Sequence, residues 1–328
     1  MIKFPRGYRL RIRFFSLVIF LAAGIFLISQ KENLLFHRSF LHPSSITYQS
    51  ERESKSLENF AILPEPCSQT PSLFMVIGVI SRPSAKRTRQ AIRATWGSVT
   101  KNSTCVKLVF VFGKVLDIAL QTSITEEAFA HGDLLQSNAY IDDSYRVSSM
   151  ITFHFLRWSS IVCADVELTV RMDDDVWLNL QKLYNYMKLR AIPEAHSIYG
   201  LLLADNSTVV RDPTKKHFVP REDYEDNFYS PYIAVNLAIF HTWSVKSLLH
   251  GSLHEKSTVF LDDVLFTGIV ALRLNFSLVN IPGFHPFFEN IRNSLCYKKD
   301  RIWIHYVKPQ EMYTLWNTTC WRVPNLTC

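Results

Sequence analysis

Three largely apolar runs, the first of them continuous, constrain the fold of this chain more than any other feature. They are LFMVIGVI over 73–80, VKLVFVF over 106–112 and ELTVRM over 167–172. A strand with one wetted face alternates apolar and polar residues. A continuous run rich in β-branched side chains is instead covered on both faces, as in a parallel sheet. Segments of helical pattern lie between the runs: Lys86–Trp96, Ser123–His131 and Ser144–Ser160, the last with Met150, Phe153, Leu156 and Trp158 turned inward. Strands alternating with helices predict an α/β layer fold with a largely parallel sheet. Further on, 197–203 and 231–240 read as strands, and Thr242–His250 and Asp262–Leu272 as helices.

The net charge of +7 and pI near 9.0 raise nucleic acid as a partner, but the charge is concentrated at one end. Residues 1–13 hold Lys3, Arg6, Arg9, Arg11 and Arg13 and no acid, leaving 31 basic against 29 acidic residues beyond them. A nearly balanced body needs no nucleic acid. The stretch Phe14–Ser29 is uncharged and mostly apolar, and no clear A-x-A cleavage site follows it. This is the pattern of a signal anchor, in which flanking cations stay cytosolic and the C-terminal body is luminal. The expected organisation is a cytosolic tail over 1–13, a transmembrane anchor over 14–30, a luminal stem over 31–70 containing Pro43, Pro64 and Pro66, and a luminal domain over 71–328.

A luminal body agrees with five N-x-[ST] sequons, at Asn102, Asn206, Asn275, Asn317 and Asn325. Six cysteines, at 67, 105, 163, 296, 320 and 328, form an even set without CxxC spacing, which suits disulfides better than zinc. Their pairing is open, and Cys163, in apolar surroundings, could instead be a free buried thiol.

Four groups of residues carry chemistry. Asp173–Asp174–Asp175 follow an apolar strand directly, at the carboxyl edge where open α/β sheets bind ligands. Three adjacent carboxylates repel one another, and a hard divalent cation such as Mn²⁺ or Mg²⁺ relieves this and can in turn neutralise a diphosphate. An acidic run can also be a solvated loop. Arg89 and Arg93, four residues apart, share a helical face just after the first strand and could meet phosphates or a nucleotide base; they could also be an exposed basic face. Asp262 and Asp263 open a late helix, where one could be an N-cap and Asp263 a general base. His305 stands in the apolar run Trp303–Val307, as a core histidine or a metal ligand.

Together these residues resemble the β-1,3-galactosyltransferase and β-1,3-N-acetylglucosaminyltransferase family of Golgi enzymes. The resemblance rests on Arg89-Gln-Ala-Ile-Arg93-Ala-Thr-Trp-Gly97, Val109-Phe-Val-Phe-Gly113, Asp143-Ser-Tyr145, Asp173–Asp175 with Trp177 and Asn179, Asp262-Asp-Val264 with Gly268, and His305 before Pro309-Gln-Glu-Met312. Order and spacing match over residues 73–312. Three places depart from the family: Pro231–Ala238 has no glycine where the family is glycine-rich, Val147-Ser-Ser-Met-Ile151 replaces the family's N-L-T-L-K pattern, and Asp262 replaces a glutamate.

The resemblance implies a GT-A, Rossmann-like, mostly parallel sheet flanked by helices. It implies an inverting transfer of a hexose, galactose before N-acetylglucosamine, from a UDP-sugar to a glycan acceptor in β-1,3 linkage, with Mn²⁺ or Mg²⁺. By position, it makes Asp175 and His305 metal ligands and Asp263 the general base. Asp173 and Asp174 then lie against the ribose, diphosphate or metal, and Arg89 and Arg93 line or organise the nucleotide pocket. It places the chain in the Golgi membrane as a single-pass type II protein, and allows a homodimer. The competing expectation is a catalytically impaired member that acts as a binding partner or chaperone of another transferase.

Overall fold

The computed structural model describes residues 57–318, apart from 71, 102, 142–147, 191–195, 204–206, 256–258 and 286–300, together with residue 326. The tail, the anchor, most of the stem, Asp143-Ser-Tyr145, Asn102, Asn206, Asn325, Cys296, Cys320 and Cys328 lie outside these residues. Among the described residues no helix is long and apolar enough to cross a membrane.

Residues from Asn59 onward form one compact unit. Its strands are β1 (Phe60–Ile62), β2 (Met75–Ile80), β3 (Val106–Lys114), β4 (Leu134–Ile141), β5 (Leu168–Asp173), β6 (Trp177–Leu178), β7 (Ser197–Leu203), β8 (Ser207–Thr208), β9 (Phe228–Tyr229), β10 (Tyr232–His241), β11 (Ser277–Asn280), β12 (Phe284–His285) and β13 (Trp303–Ile304). The helices are α1 (Lys86–Ala94), α2 (Ile118–His131), α3 (Ser148–Val162), α4 (Leu180–Arg190), α5 (Thr242–Leu253), α6 (Ala271–Arg273) and α7 (Pro309–Asn317), with a π-helix over Asp263–Val270 running into α6.

Eight strands form one mixed sheet in the order β1-β4-β3-β2-β5-β10-β7-β11. The strands β4, β3, β2 and β5 run parallel, as do β7 and β11; β10 is antiparallel to both β5 and β7. Each predicted apolar run is thus a central strand, and β2 has five of its six residues fully buried in pattern. On β2, Met75, Ile77 and Val79 join the large core that takes in Ala91 and Ile92 of α1 and Met312 and Leu315 of α7. Gly78 points the other way, where a Cβ would meet the Phe155 ring at 2.3 Å; only glycine lets α3 approach so closely. Within α3, Leu156 and Trp158 are buried as expected, whereas Met150 is exposed.

Two features fall in stretches read differently from sequence. Phe60–Ile62, within the expected stem, adds an antiparallel edge strand to β4. Cys163 is not a free thiol: it is bonded to Cys67, closing a separation of 96 residues. In the chain-entropy picture a loop of that length contributes about 4–5 kcal/mol to stability. The two described sequon asparagines, Asn275 and Asn317, are both exposed.

Candidate active site

The sheet delivers its acids to one edge. Asp173 is the last residue of β5, paired in register with Ile80 of β2, so the chain leaves both strands side by side. Ser81, the first residue past β2, donates its hydroxyl to Asp174 Oδ2 at 2.8 Å. A cleft of about 330 Å³ opens here, lined by Ser81, Arg82, Thr88, Arg171, Asp173, Asp174, Asp175 and Lys216. Burial and the neighbouring Asp175 and Asp173 charges push the Asp174 carboxyl up to about 6, against the opposing bond from Ser81.

A second, small sheet brings in the histidine. Immediately after the acids, β6 pairs antiparallel with β13, Trp177 against Ile304 and Leu178 against Trp303. The Val307 N–H donates to Asp175 O at 2.8 Å. This pairing sets His305 Nε2 at 3.2 Å from Asp175 Oδ1 and 3.8 Å from Asp173 Oδ2. One ligand atom from each of the three residues falls within 4.8 Å of the others. His305 follows β13 rather than lying in a core strand. Its other ring nitrogen lies 3.4 Å from the Asn236 amide, whose oxygen accepts from the Trp303 indole at 3.3 Å, so the ring is held from behind. Asn236 comes from the stretch that lacks the family's glycines. There β10 shifts register between Ala234 and Ala238.

The start of the π-helix lies beside these acids, joined to them through Arg171. Asp262 and Asp263 have opposite environments. Asp262 is buried and accepts from Thr152 at 2.6 Å and from Arg171 at 2.7 Å. It stands at the N-cap position of the helix, but its side chain makes no cap bond there. Asp263 is half-buried, and its carboxylate accepts the Val264 N–H at 2.9 Å. Burial and then the Asp262 charge raise its pKa to about 7, with Val264 N–H and Arg171 pulling the other way. The Thr267 hydroxyl stitches the widened turn to β10, accepting from Ile233 N–H at 2.9 Å with Ile233 O and Asp263 O both at 2.7 Å. Tyr229 and Tyr232 pack beside Asp263, and burial followed by that carboxylate pushes the Tyr232 phenol up to about 12. Their approach loop is pinned by Arg211, which donates to Val219 O, Tyr224 O and Asp226 O at 2.7, 2.6 and 2.6 Å.

Arg171 links the two groups of acids. It donates to Asp173 and to Val235 O, while its other amino group meets Asp262. Sequence reasoning missed Arg171, Thr152, Asn236, Ser81 and Lys216. Of these only Arg171 carried a visible signal, as a charge inside a strand otherwise buried on both faces.

Arg89 and Arg93 are not the exposed basic face that the sequence allowed; both are buried behind the cleft. Neither guanidinium faces the cleft as a free phosphate ligand. Arg89 is fully buried, donates to both Glu127 oxygens at 2.9 and 2.7 Å, and lies 5.0 Å over the Phe112 ring. Arg93 donates one hydrogen bond to each Asp133 carboxylate oxygen, both at 2.7 Å, and a third to Glu127 at 2.7 Å. Burial alone would raise the Glu127 pKa, but the two guanidiniums outweigh it and hold the carboxyl below the usual range. Arg89 does shape the loop after β2, donating to Arg82 O at 2.6 Å and Pro83 O at 3.1 Å.

The sequence profile described as galactosyltransferase matches residues 87–282, more than half of the chain and every element between α1 and the end of β11. The chain belongs to the galactosyltransferase family. It is a glycosyltransferase by that membership. Its relatives include mouse beta-1,3-galactosyltransferase 1, 28% identical over 253 residues, which are 74% of this chain and 73% of that protein. Mouse N-acetyllactosaminide beta-1,3-N-acetylglucosaminyltransferase 2 is 29% identical over 281 residues, 82% of this chain and 68% of that protein. Among solved structures, the galactosyltransferase LgtC with donor and acceptor sugar analogs is similar at 10% identity and a TM-score of 0.38, over 75% of this chain and 91% of that one.

Proposed function

We propose that the chain is an inverting hexosyltransferase that moves galactose, or second N-acetylglucosamine, from a UDP-sugar to a glycan acceptor in β-1,3 linkage. One observation carries the reading. Arg171 ties Asp173, beside His305 and Asp175, to Asp262, beside the raised carboxylate of Asp263. A cation site and a base close enough to feel each other's charge are what glycosyl transfer from a nucleotide sugar requires.

Two carboxylates and an imidazole within 4.8 Å suit Mn²⁺, which takes an imidazole nitrogen among oxygen ligands more readily than Mg²⁺ does. Asp173, Asp175 and His305 would hold it, with Asp174 held back by Ser81. When bound, the cation supplies charge neutralisation for the donor diphosphate. Lys216, on the loop pinned by Arg211, adds a positive charge to the same cleft, and Arg82 another. The chain's own part in the reaction is positional and basic. Asp263 takes the proton of the acceptor hydroxyl as its oxygen bonds to the anomeric carbon and the carbon–phosphate-oxygen bond breaks, releasing UDP. A base pKa near 7 fits that task at neutral pH. Tyr229, Tyr232 and the loop from 209 to 229 flank Asp263 and form the acceptor side.

The cationic N-terminus, the apolar stretch over 14–29 and the sequons support a single-pass type II protein of the Golgi membrane with this unit in the lumen. A homodimer is part of the same reading. The test is to incubate the purified protein with a panel of UDP-sugars and Mn²⁺ on a glycan acceptor array. Consumption of UDP-galactose with a β-1,3 product supports the proposal. UDP-sugar binding without turnover under any acceptor would favour the binding-partner role.

A further inference from the structure

The C-terminal end of α5 carries a second cluster, unrelated to the acidic cleft. His250 lies in the last turn of α5 and His254 caps it, four residues on, so both rings leave the same face. Both are exposed. Their Nε2 atoms are 3.3 Å apart, with ring centroids 4.6 Å apart and planes inclined by 58°. Two imidazole nitrogens bound at about 2.0–2.1 Å to one tetrahedral ion lie about 3.3–3.4 Å from each other. The spacing therefore matches the bite of a tetrahedral chelate, and two histidines at i and i+4 on a helix are an established way to hold zinc.

We propose that His250 and His254 form a bidentate surface site for Zn²⁺. The proposal does not depend on the transfer reaction. The two sites differ in ligand chemistry: imidazole pairs favour zinc, nickel and copper, whereas the carboxylate-rich cleft favours manganese and magnesium. Among the described residues the only group of three candidate ligands is Asp173, Asp175 and His305, so water completes the shell at α5. The adjacent Glu255 is occupied by Arg273 at 2.8 Å. Arg273 also donates to Gly251 O at 2.9 Å, and it ends the helix that begins at Asp263.

The test is calorimetric titration of the full-length protein with zinc chloride in excess Mn²⁺, which fills the acidic cleft. The expected result is one zinc per chain, retained in Asp175→Ala. Zinc affinity should fall by at least the roughly 10–100-fold that even outer-shell changes cause in His250→Ala and His254→Ala. Both side chains are exposed, so these variants should fold, which circular dichroism checks; His250→Gln provides a second, milder change. Zinc-dependent shifts of the two imidazole ring protons in NMR spectra give a direct readout. Equal zinc affinity in wild type and the His250→Ala/His254→Ala double variant would overturn the proposal. So would loss of all zinc binding in Asp175→Ala.

Discussion

Replacing Glu127 by glutamine separates a structural role for Arg89 and Arg93 from a ligand-binding one. Glu127 accepts three hydrogen bonds from the two guanidiniums, and its side chain is almost fully buried. Arg93 would keep Asp133 in the variant, but Arg89 would keep only the carbonyls of Arg82 and Pro83 and the hydroxyl of Ser81. Removing one partner of a buried ion pair costs about 3–5 kcal/mol, because the other charge is left uncompensated. Glutamine retains one acceptor, which places this change near the lower end, at about 3 kcal/mol. For a unit of this size each kcal/mol moves the Tm by roughly 2–4 °C, so the transition should fall by roughly 6–12 °C. Thermal unfolding at pH 7 is the assay, paired with the donor KM at 20 °C, where the variant remains folded. The KM should change less than about threefold, the scale of an indirect effect below 1 kcal/mol. An unchanged Tm with a strongly raised donor KM would refute the reasoning and return Arg89 and Arg93 to the nucleotide. The pH dependence has a definite sign. Glu127 is held below its ordinary range in the folded state, so its stabilisation is complete above about pH 5 and is lost as the pH falls through the folded value. Glu127→Gln should therefore narrow the gap to wild type in acid.

Other outcomes follow from the same site. The carboxylate form of Asp263 is the active one and its pKa is raised to about 7, so kcat should rise with pH through 7, level off above it, and fall toward tenfold per unit below. His305→Ala should weaken activation by Mn²⁺ by roughly 10–100-fold or more, measured as the metal concentration for half-maximal transfer. Lys216→Met should raise the donor KM about two- to fivefold with a smaller change in kcat, the scale of an exposed charge contact worth up to about 1 kcal/mol.

The legible part of this fold was the part buried on both faces. The runs that became β2, β3 and β5 are mostly apolar and rich in β-branched residues, the pattern of strands covered on both faces. The strand β4 reads LLQSNAYI, and its polar centre hid it; in the structure Gln136 is buried and satisfied by Gln121 and Gly113 O. For the site, Asp173 and Asp175 could be placed by the strand before them. His305 is about 130 residues away, and only the pairing of β6 with β13, two residues each, brings it to them. Short strands carry almost no sequence signal, so the resemblance to a family was needed to nominate that histidine. Arg89 and Arg93 misled for a related reason. A basic helical face beside a ligand edge is ambiguous until its counter-ions are known, and Glu127 and Asp133 arrive from α2 and the turn after it. The split between Asp262 and Asp263 was likewise hidden. Adjacent residues on a helix point about 100° apart, and here Arg171 and Thr152 hold the first carboxylate inside.

The central claim is that Asp263 activates the acceptor hydroxyl in a UDP-hexose transfer. Its most direct test is the transfer rate of Asp263→Asn with Mn²⁺ and UDP-galactose, measured alongside UDP affinity. The account predicts a kcat lower by about 10²–10⁴-fold with UDP affinity unchanged within a few-fold. Near-normal transfer by that variant would contradict it.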